Sequence, residues 1–154
     1  MLKRVGKKKI TTERGRFAIV ASRYNARYVD AMVRAARGEL RRGGAAEVRV
    51  IRVPGAYEIP VVAAKLAASE PRWSAIICLG VILRGATTHA QHIGEAVSNS
   101  LADIQVRHQV PVIHEVLLLE NEQQARERCL SRDHNRGLEA AQTAVAMARV
   151  MREL

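Results

Sequence analysis

The chain has 154 residues, 48% hydrophobic and 26% charged, which is enough for one globular domain, too short for two full ones and too apolar for a disordered chain. It carries no run of the roughly 20 apolar residues that a membrane span needs and no secretory pattern. Its two cysteines, Cys78 and Cys129, lack the spacing of a disulfide scaffold or zinc ribbon, so a reducing, cytoplasmic setting is expected.

The formal charge is +10, and seven basic residues against Glu13 alone put a net +6 into the first 16 residues. Residues 1–16 therefore read as a basic arm and residues 17–154 as the folded domain. The Lys7-Lys8-Lys9 run is better explained as a solvated arm than as a nucleic-acid contact, since no RNA-binding aromatic signature or helix-turn-helix pattern accompanies it.

Residues 17–22 form an apolar run of strand length, Arg23-Tyr24-Asn25 breaks it, and Val29, Met32, Val33, Ala36 and Leu40 recur at helical spacing up to Gly43-Gly44. Residues 48–53 predict a second strand, Pro54-Gly55 a turn, and residues 59–68 a helix that tolerates Pro60 in its first turn. Residues 75–83 are apolar almost throughout, the pattern of a central parallel strand covered on both faces. A long helix follows with Ile93, Val97, Leu101 and Ile104 as its stripe, then a fourth strand over 112–119 and a short charged helix over 121–129. Asn135 caps a last helix whose apolar face holds Leu138, Ala141, Val145 and Ala148. The alternation predicts a flavodoxin-like three-layer α/β/α sandwich around a four-stranded parallel sheet. Ligands of such sheets bind beyond the carboxyl ends of the strands, where Tyr24-Asn25, residues 54–58, residues 83–89 and the end of the fourth strand are expected to converge.

Several residues there have chemistry to offer. Gly85, Ala86, Thr87 and Thr88 before a helix read equally as a phosphate cradle or as a tight turn with a threonine cap. His89 sits in the first helical turn, where the dipole favours a neutral imidazole suited to proton exchange, although a surface or capping histidine fits the same position. His92 lies three residues on, but no third ligand has metal spacing, so no metal is expected. Glu58 can accept hydrogen bonds from a polyol or simply begin a helix. Tyr24 and Tyr57, in a chain with five aromatics, offer faces to a planar ligand. Lys65 is the one lysine outside the arm and lies on a helix, which disfavours a Schiff base on the protein. His108 and His134 read as exposed helix ends, and both cysteines as structural.

Taken in order, Ser22-Arg23-Tyr24-Asn25, the segment from Val53 to Pro60, the segment from Gly80 to His89 and Asn135-Arg136-Gly137 closely resemble the 6,7-dimethyl-8-ribityllumazine synthase family. The resemblance implies condensation of 5-amino-6-ribitylaminouracil with 3,4-dihydroxy-2-butanone 4-phosphate, without a cofactor, at a site shared by neighbouring subunits of a pentamer. It implies that Tyr24 stacks on the pyrimidine, that Ala56, Tyr57 and Glu58 hold its ribityl chain and ring, and that Val81, Ile82 and Leu83 contact the ring. Gly85, Ala86 and Thr87 would form the phosphate loop, His89 would transfer protons, and Arg128 would clamp the phosphate.

The chain departs from the common pattern at His114-Glu115, where many relatives have Phe-Gly, making one wall of the ring pocket more polar. Leu118-Leu119 replaces a hydroxyl-bearing pair and Ala90 an aromatic. The short stretch 130–134 is compatible with a sixty-subunit shell as well as a pentamer, with a riboflavin synthase as a further partner, and the arm is suited to adding a strand to a neighbouring subunit's sheet. The rival reading is a catalytically weak shell protein that binds polyanions through its arm. A third is a riboflavin synthase acting on two lumazines.

Overall fold

A computed structural model describes residues 2–6 and 13–154. Strands β1 (Arg16–Ser22), β2 (Glu47–Val53), β3 (Ala75–Leu83) and β4 (Val112–Leu119) alternate with helices α1 (Ala26–Arg42), α2 (Ile59–Ala67), α3 (His89–His108), α4 (Glu122–Ala125) and α5 (Arg136–Glu153). All strand pairs are parallel and the order is β2-β1-β3-β4. The continuous apolar run of β3 is buried from Ala75 to Ile82. Edge strand β2, which interleaves arginines with its valines, is only half-buried.

Helices α1 and α5 cover one face of the sheet, and α2 and α3 the other, each over its own apolar cluster. The register sets Ser22 beside Val53 and Leu83 beside Leu119, so the carboxyl ends of the strands share one edge. That edge is where a parallel sheet receives ligands.

Every predicted strand and helix is present, with shifts at the ends. β1 and β2 each begin one residue early, because Arg16 and Glu47 are register partners and form an ion pair of 2.6 Å. Arg16 also lies 4.2 Å from the centre of the Trp73 ring. A polar pair leaves no trace in an apolar run. The helix expected over 121–129 is a single α turn, α4, capped by Asn121, followed by a π turn over Arg126–Leu130 closed by the Ser131 N–H on the Arg126 carbonyl at 3.3 Å. His108 and His134 are half-buried rather than exposed. On α5 the buried face runs through Gly137, Ala140, Ala141, Ala144, Val145 and Ala148, while Leu138 sits at its margin.

Residues 2–6 form no strand and lie against the chain's own α5 side. The Val5 N–H donates to the Asp133 carbonyl at 2.5 Å, Arg4 pairs with the Asp133 carboxylate at 3.3 Å, and Gln142 donates to the Gly6 carbonyl at 3.0 Å. The Lys7-Lys8-Lys9 run lies outside the described residues. Glu13 is buried, with both carboxylate oxygens on Arg152. Among the described residues no helix is long and apolar enough to cross a membrane.

Candidate functional site

At the carboxyl edge of the sheet lies a cleft of about 710 Å³, within the usual size of small-molecule sites. It is built by the loops after β1 and β2, the end of β3 and the start of α3. The β1–α1 loop is fixed by its backbone: the Arg23 N–H reaches the Val53 carbonyl at 2.8 Å and the Tyr24 N–H reaches the Pro54 carbonyl at 3.1 Å. Asn25 adopts φ 57°, the left-handed conformation that asparagine tolerates best after glycine. Its side chain donates to the Val81 carbonyl at 2.7 Å, tying this loop to the end of β3.

Tyr24 therefore stands at the cleft with 72% of its surface exposed, and Tyr57 with 65%. Rings left in water by a fold with so few aromatics are available to a ligand face. Gly55 lies between Tyr24 and Glu58, and a Cβ there would stand 3.5 Å from both the tyrosine ring and the carboxylate. Ala56, Tyr57 and Glu58 form a single 3₁₀ turn leading into α2, and Glu58 is half-buried facing the cleft. Val81, Ile82 and Leu83 supply the floor.

His89 is the first residue of α3 and lines the cleft on the other side. Thr88 occupies the capping position without a side-chain capping bond. Instead the Thr87 hydroxyl accepts the His89 N–H at 3.3 Å, and the Thr88 hydroxyl lies 3.3 Å from His92 Nε2. Gly85, Ala86 and Thr87 form an exposed rim beside the helix N-terminus, where backbone N–H groups and the helix dipole favour an anion. His92, Ile93 and Ala96 complete the lining. His92 offers no metal spacing, and the apolar Ile93 and Ala96 carry no chemical mark of a site. Their spacing of one and two turns from His89 on α3 is the signal that finds them.

Of the expected site residues, Gly85, Ala86 and Thr87 do not line this cleft, nor do His114 and Arg128, and the end of β4 does not line it either. His114 lies beside Cys78, five register positions before the end of β3. Its Nδ1 accepts the Val116 N–H at 3.1 Å and its Nε2 lies 2.7 Å from the Ser98 hydroxyl on α3. An Nδ1 that accepts must carry no proton, so the neutral ring is protonated at Nε2 and donates to Ser98. Partial burial pulls its pKa below the ordinary imidazole value, in keeping with a neutral ring.

Arg128 lies in the π turn and is not among the residues lining the cleft. Its neighbour Cys129 belongs to the core under α1 and α5, as does Val81 of the cleft floor, with Leu83 packed against it, whereas Ala56, Ile82 and Ala90 belong to the core under α2 and α3. Arg128 Nη1 is buried without a hydrogen-bond partner, and the Glu127 carboxylate stands 4.0 Å away. A buried guanidinium nitrogen left unsatisfied is costly unless something binds it.

Glu115 points to the α5 side. Burial pushes its carboxyl up to about 7, with Glu139 adding to the shift and Arg136 opposing it. Cys78 and Cys129 are buried and their thiols are pushed up to about 12, which leaves little thiolate for nucleophilic chemistry at neutral pH.

Comparison with known proteins places this geometry. The family model described as 6,7-dimethyl-8-ribityllumazine synthase matches residues 14–152. Curated proteins of that name are similar to this chain, two of them from Stenotrophomonas maltophilia (strains R551-3 and K279a) at 42% identity over 146 residues, covering 94% of each sequence. Another, from Clostridium kluyveri (strain NBRC 12016), is 37% identical over 148 residues, covering 95% of this chain and 96% of its own. With the match spanning β1 to the end of α5, the chain belongs to the 6,7-dimethyl-8-ribityllumazine synthase family.

Proposed function

We propose that the chain condenses 5-amino-6-(D-ribitylamino)uracil with 3,4-dihydroxy-2-butanone 4-phosphate, releasing phosphate and water and forming 6,7-dimethyl-8-ribityllumazine, the penultimate step of riboflavin synthesis. The observation that carries this reading is the cleft itself, which sets two exposed tyrosine rings and the Glu58 carboxylate on one side and the α3 N-terminus with His89 on the other.

In this reading the pyrimidine stacks on Tyr24 over the floor made by Val81, Ile82 and Leu83, and its ribityl hydroxyls bond to the 56–58 turn and Glu58. The phosphate of the second substrate lies on the Gly85-Ala86-Thr87 rim, where the helix dipole and backbone amides favour it. The amine of the pyrimidine attacks the ketone, so the imine joins the two substrates and needs no lysine on the protein. Most of the barrier is met by holding amine and carbonyl together, an effect worth up to roughly 7–11 kcal/mol in well-oriented systems. His89 relays protons as water leaves, a contribution of typically ~10²–10⁴-fold.

Arg128 completes the phosphate site from a second copy of the chain. Within one chain it does not line the cleft, and its side chain keeps 27% of its surface exposed, which is the part a neighbouring subunit's anion can reach. His114, on the α3 side of β4, serves as the ring wall presented to that neighbour. A site shared in this way needs an oligomer, which the family resemblance gives as a homopentamer or a shell of pentamers in the cytoplasm, and a riboflavin synthase is a natural consumer of the product.

Purified protein given both substrates develops lumazine absorbance and fluorescence. Arg128→Ala loses most of the activity and His89→Ala loses roughly 10²-fold or more, the usual weight of a general acid or base. Absence of lumazine, or appearance of riboflavin from lumazine alone, sinks the reading. Sedimentation of the active protein distinguishes pentamer from shell.

A further inference from the structure

Asn135 does more than cap α5. It is buried at 8% exposure, and its side-chain oxygen accepts the N–H groups of Gly137 and Leu138 at 2.8 and 3.3 Å. Its amide nitrogen faces the other way and donates to the carbonyl of Cys129 at 2.8 Å and towards that of Ala31 at 3.5 Å. Two donors on one side and two carbonyls on the other leave a single orientation for the amide. Serine, threonine or aspartate would cap the helix as well, but only an amide supplies the acceptor and the donors together.

The carbonyl that receives this bond belongs to the residue directly after Arg128, inside the π turn. The guanidinium has no close side-chain partner to aim it: Nη1 is buried and unpaired, and Glu127 is 4.0 Å away. Its direction is therefore set by its own backbone. That backbone is held to α5 and α1 through Asn135, and α1 and α5 meet so closely here that a Cβ on Gly137 would come within 2.1 Å of the Met32 carbonyl oxygen.

We propose that Asn135 is the positioning residue for Arg128, locking the π turn so that the guanidinium is aimed at the substrate phosphate. The role rests on the assignment of Arg128 as the phosphate clamp.

The test compares Asn135→Ser, which keeps an oxygen cap and loses the donor, with Arg128→Ala and the double variant. Measured are KM for each substrate, the inhibition constant of inorganic phosphate, and Tm. Asn135→Ser is expected to raise KM for the butanone phosphate and the phosphate inhibition constant roughly tenfold or more, the order of loss that a misplaced binding group brings, with KM for the pyrimidine unchanged. In the Arg128→Ala background the same substitution adds nothing to the phosphate constant, because the two act as one unit. Effects that add, or a parallel rise in both KM values, make Asn135 merely structural and overturn the proposal. If Arg128→Ala raises the phosphate constant and Asn135→Ser does not, the proposal alone falls. If Arg128→Ala leaves that constant unchanged, the clamp assignment falls with it. Should Asn135→Ser fail to fold, Asn135→Asp, which caps strongly and whose ionised carboxylate has no donor for the Cys129 carbonyl, carries the same comparison.

Discussion

His114 and Glu115 are consecutive on β4 and point to opposite faces, and each answers to its own layer. His114 is bonded at both ring nitrogens, one to the Val116 N–H and one to Ser98, so its role is that of a fixed neutral ring rather than a proton shuttle. Glu115 finds Glu139 and only partial compensation from Arg136. Its carboxyl holds a proton in the native protein up to about pH 7, whereas the unfolded chain releases it near the ordinary carboxyl value of 4.5. Between those values the native state binds more protons than the unfolded state, so stability falls as pH rises through this window and stays reduced above it. Glu115→Gln removes the charge and is expected to stabilise the protein at pH 8 by roughly 1–3 kcal/mol, an amount that shrinks towards zero by pH 5. Urea unfolding of both proteins at the two pH values checks this. A gain that is equal at both, or larger at pH 5, contradicts the assignment.

The α1–α5 crossing shows the same dependence on single positions at the scale of elements. Gly137 lies at the start of α5 where a Cβ would collide with Met32 backbone atoms at 2.1 and 2.6 Å, and backbone cannot swing aside as a side-chain tip can. Gly137→Ala is expected to cost about 3 kcal/mol or more through overpacking, read as a lower urea midpoint with an unchanged m-value. An alanine variant as stable as the parent would mean the helices separate freely. This crossing also marks the limit of what the sequence declares. Strand β3 was legible to the residue because a buried parallel strand is apolar end to end, β4 because Pro111 precedes an apolar run broken only by His114-Glu115, and α1 because Val29, Met32, Val33, Ala36 and Leu40 keep helical spacing. The buried face of α5 is built from glycine and alanine, which carry weak periodicity, so Leu138 misleads as its marker. The π turn was not legible at all, since Arg126, Glu127 and Arg128 fit an α-helix equally well and only the Ser131 contact decides otherwise. In the cleft, Tyr24, the 56–58 turn, residues 81–83 and His89 were legible because strand ends carry them. His114 and Arg128 were expected beside them on resemblance, and no local pattern tells whether a residue of the π turn will reach the cleft.

At the scale of the molecule, the two halves of the proposed site lie apart within one chain, since Arg128 is not among the residues that line the cleft. In the proposed assembly each copy would present its cleft to one neighbour and its arginine to the other, and a head-to-tail contact of this kind closes into a ring. The arrangement makes a quantitative demand on mixed assemblies. A chain with a ruined cleft, Glu58→Ala/His89→Ala, and a chain with Arg128→Ala each keep only a small residue of activity alone. When equal amounts are unfolded together and refolded, a site works wherever an intact cleft from the second meets an intact arginine from the first, which in random rings is about one contact in four. Lumazine formation should therefore return to roughly a quarter of the parent rate in the mixture, and stay at the residual level when the two are refolded separately and then combined without exchange. Failure to recover activity in demonstrably mixed rings would rule out an arginine supplied by the neighbouring copy, and the intersubunit clamp role of Arg128 would have to be given up.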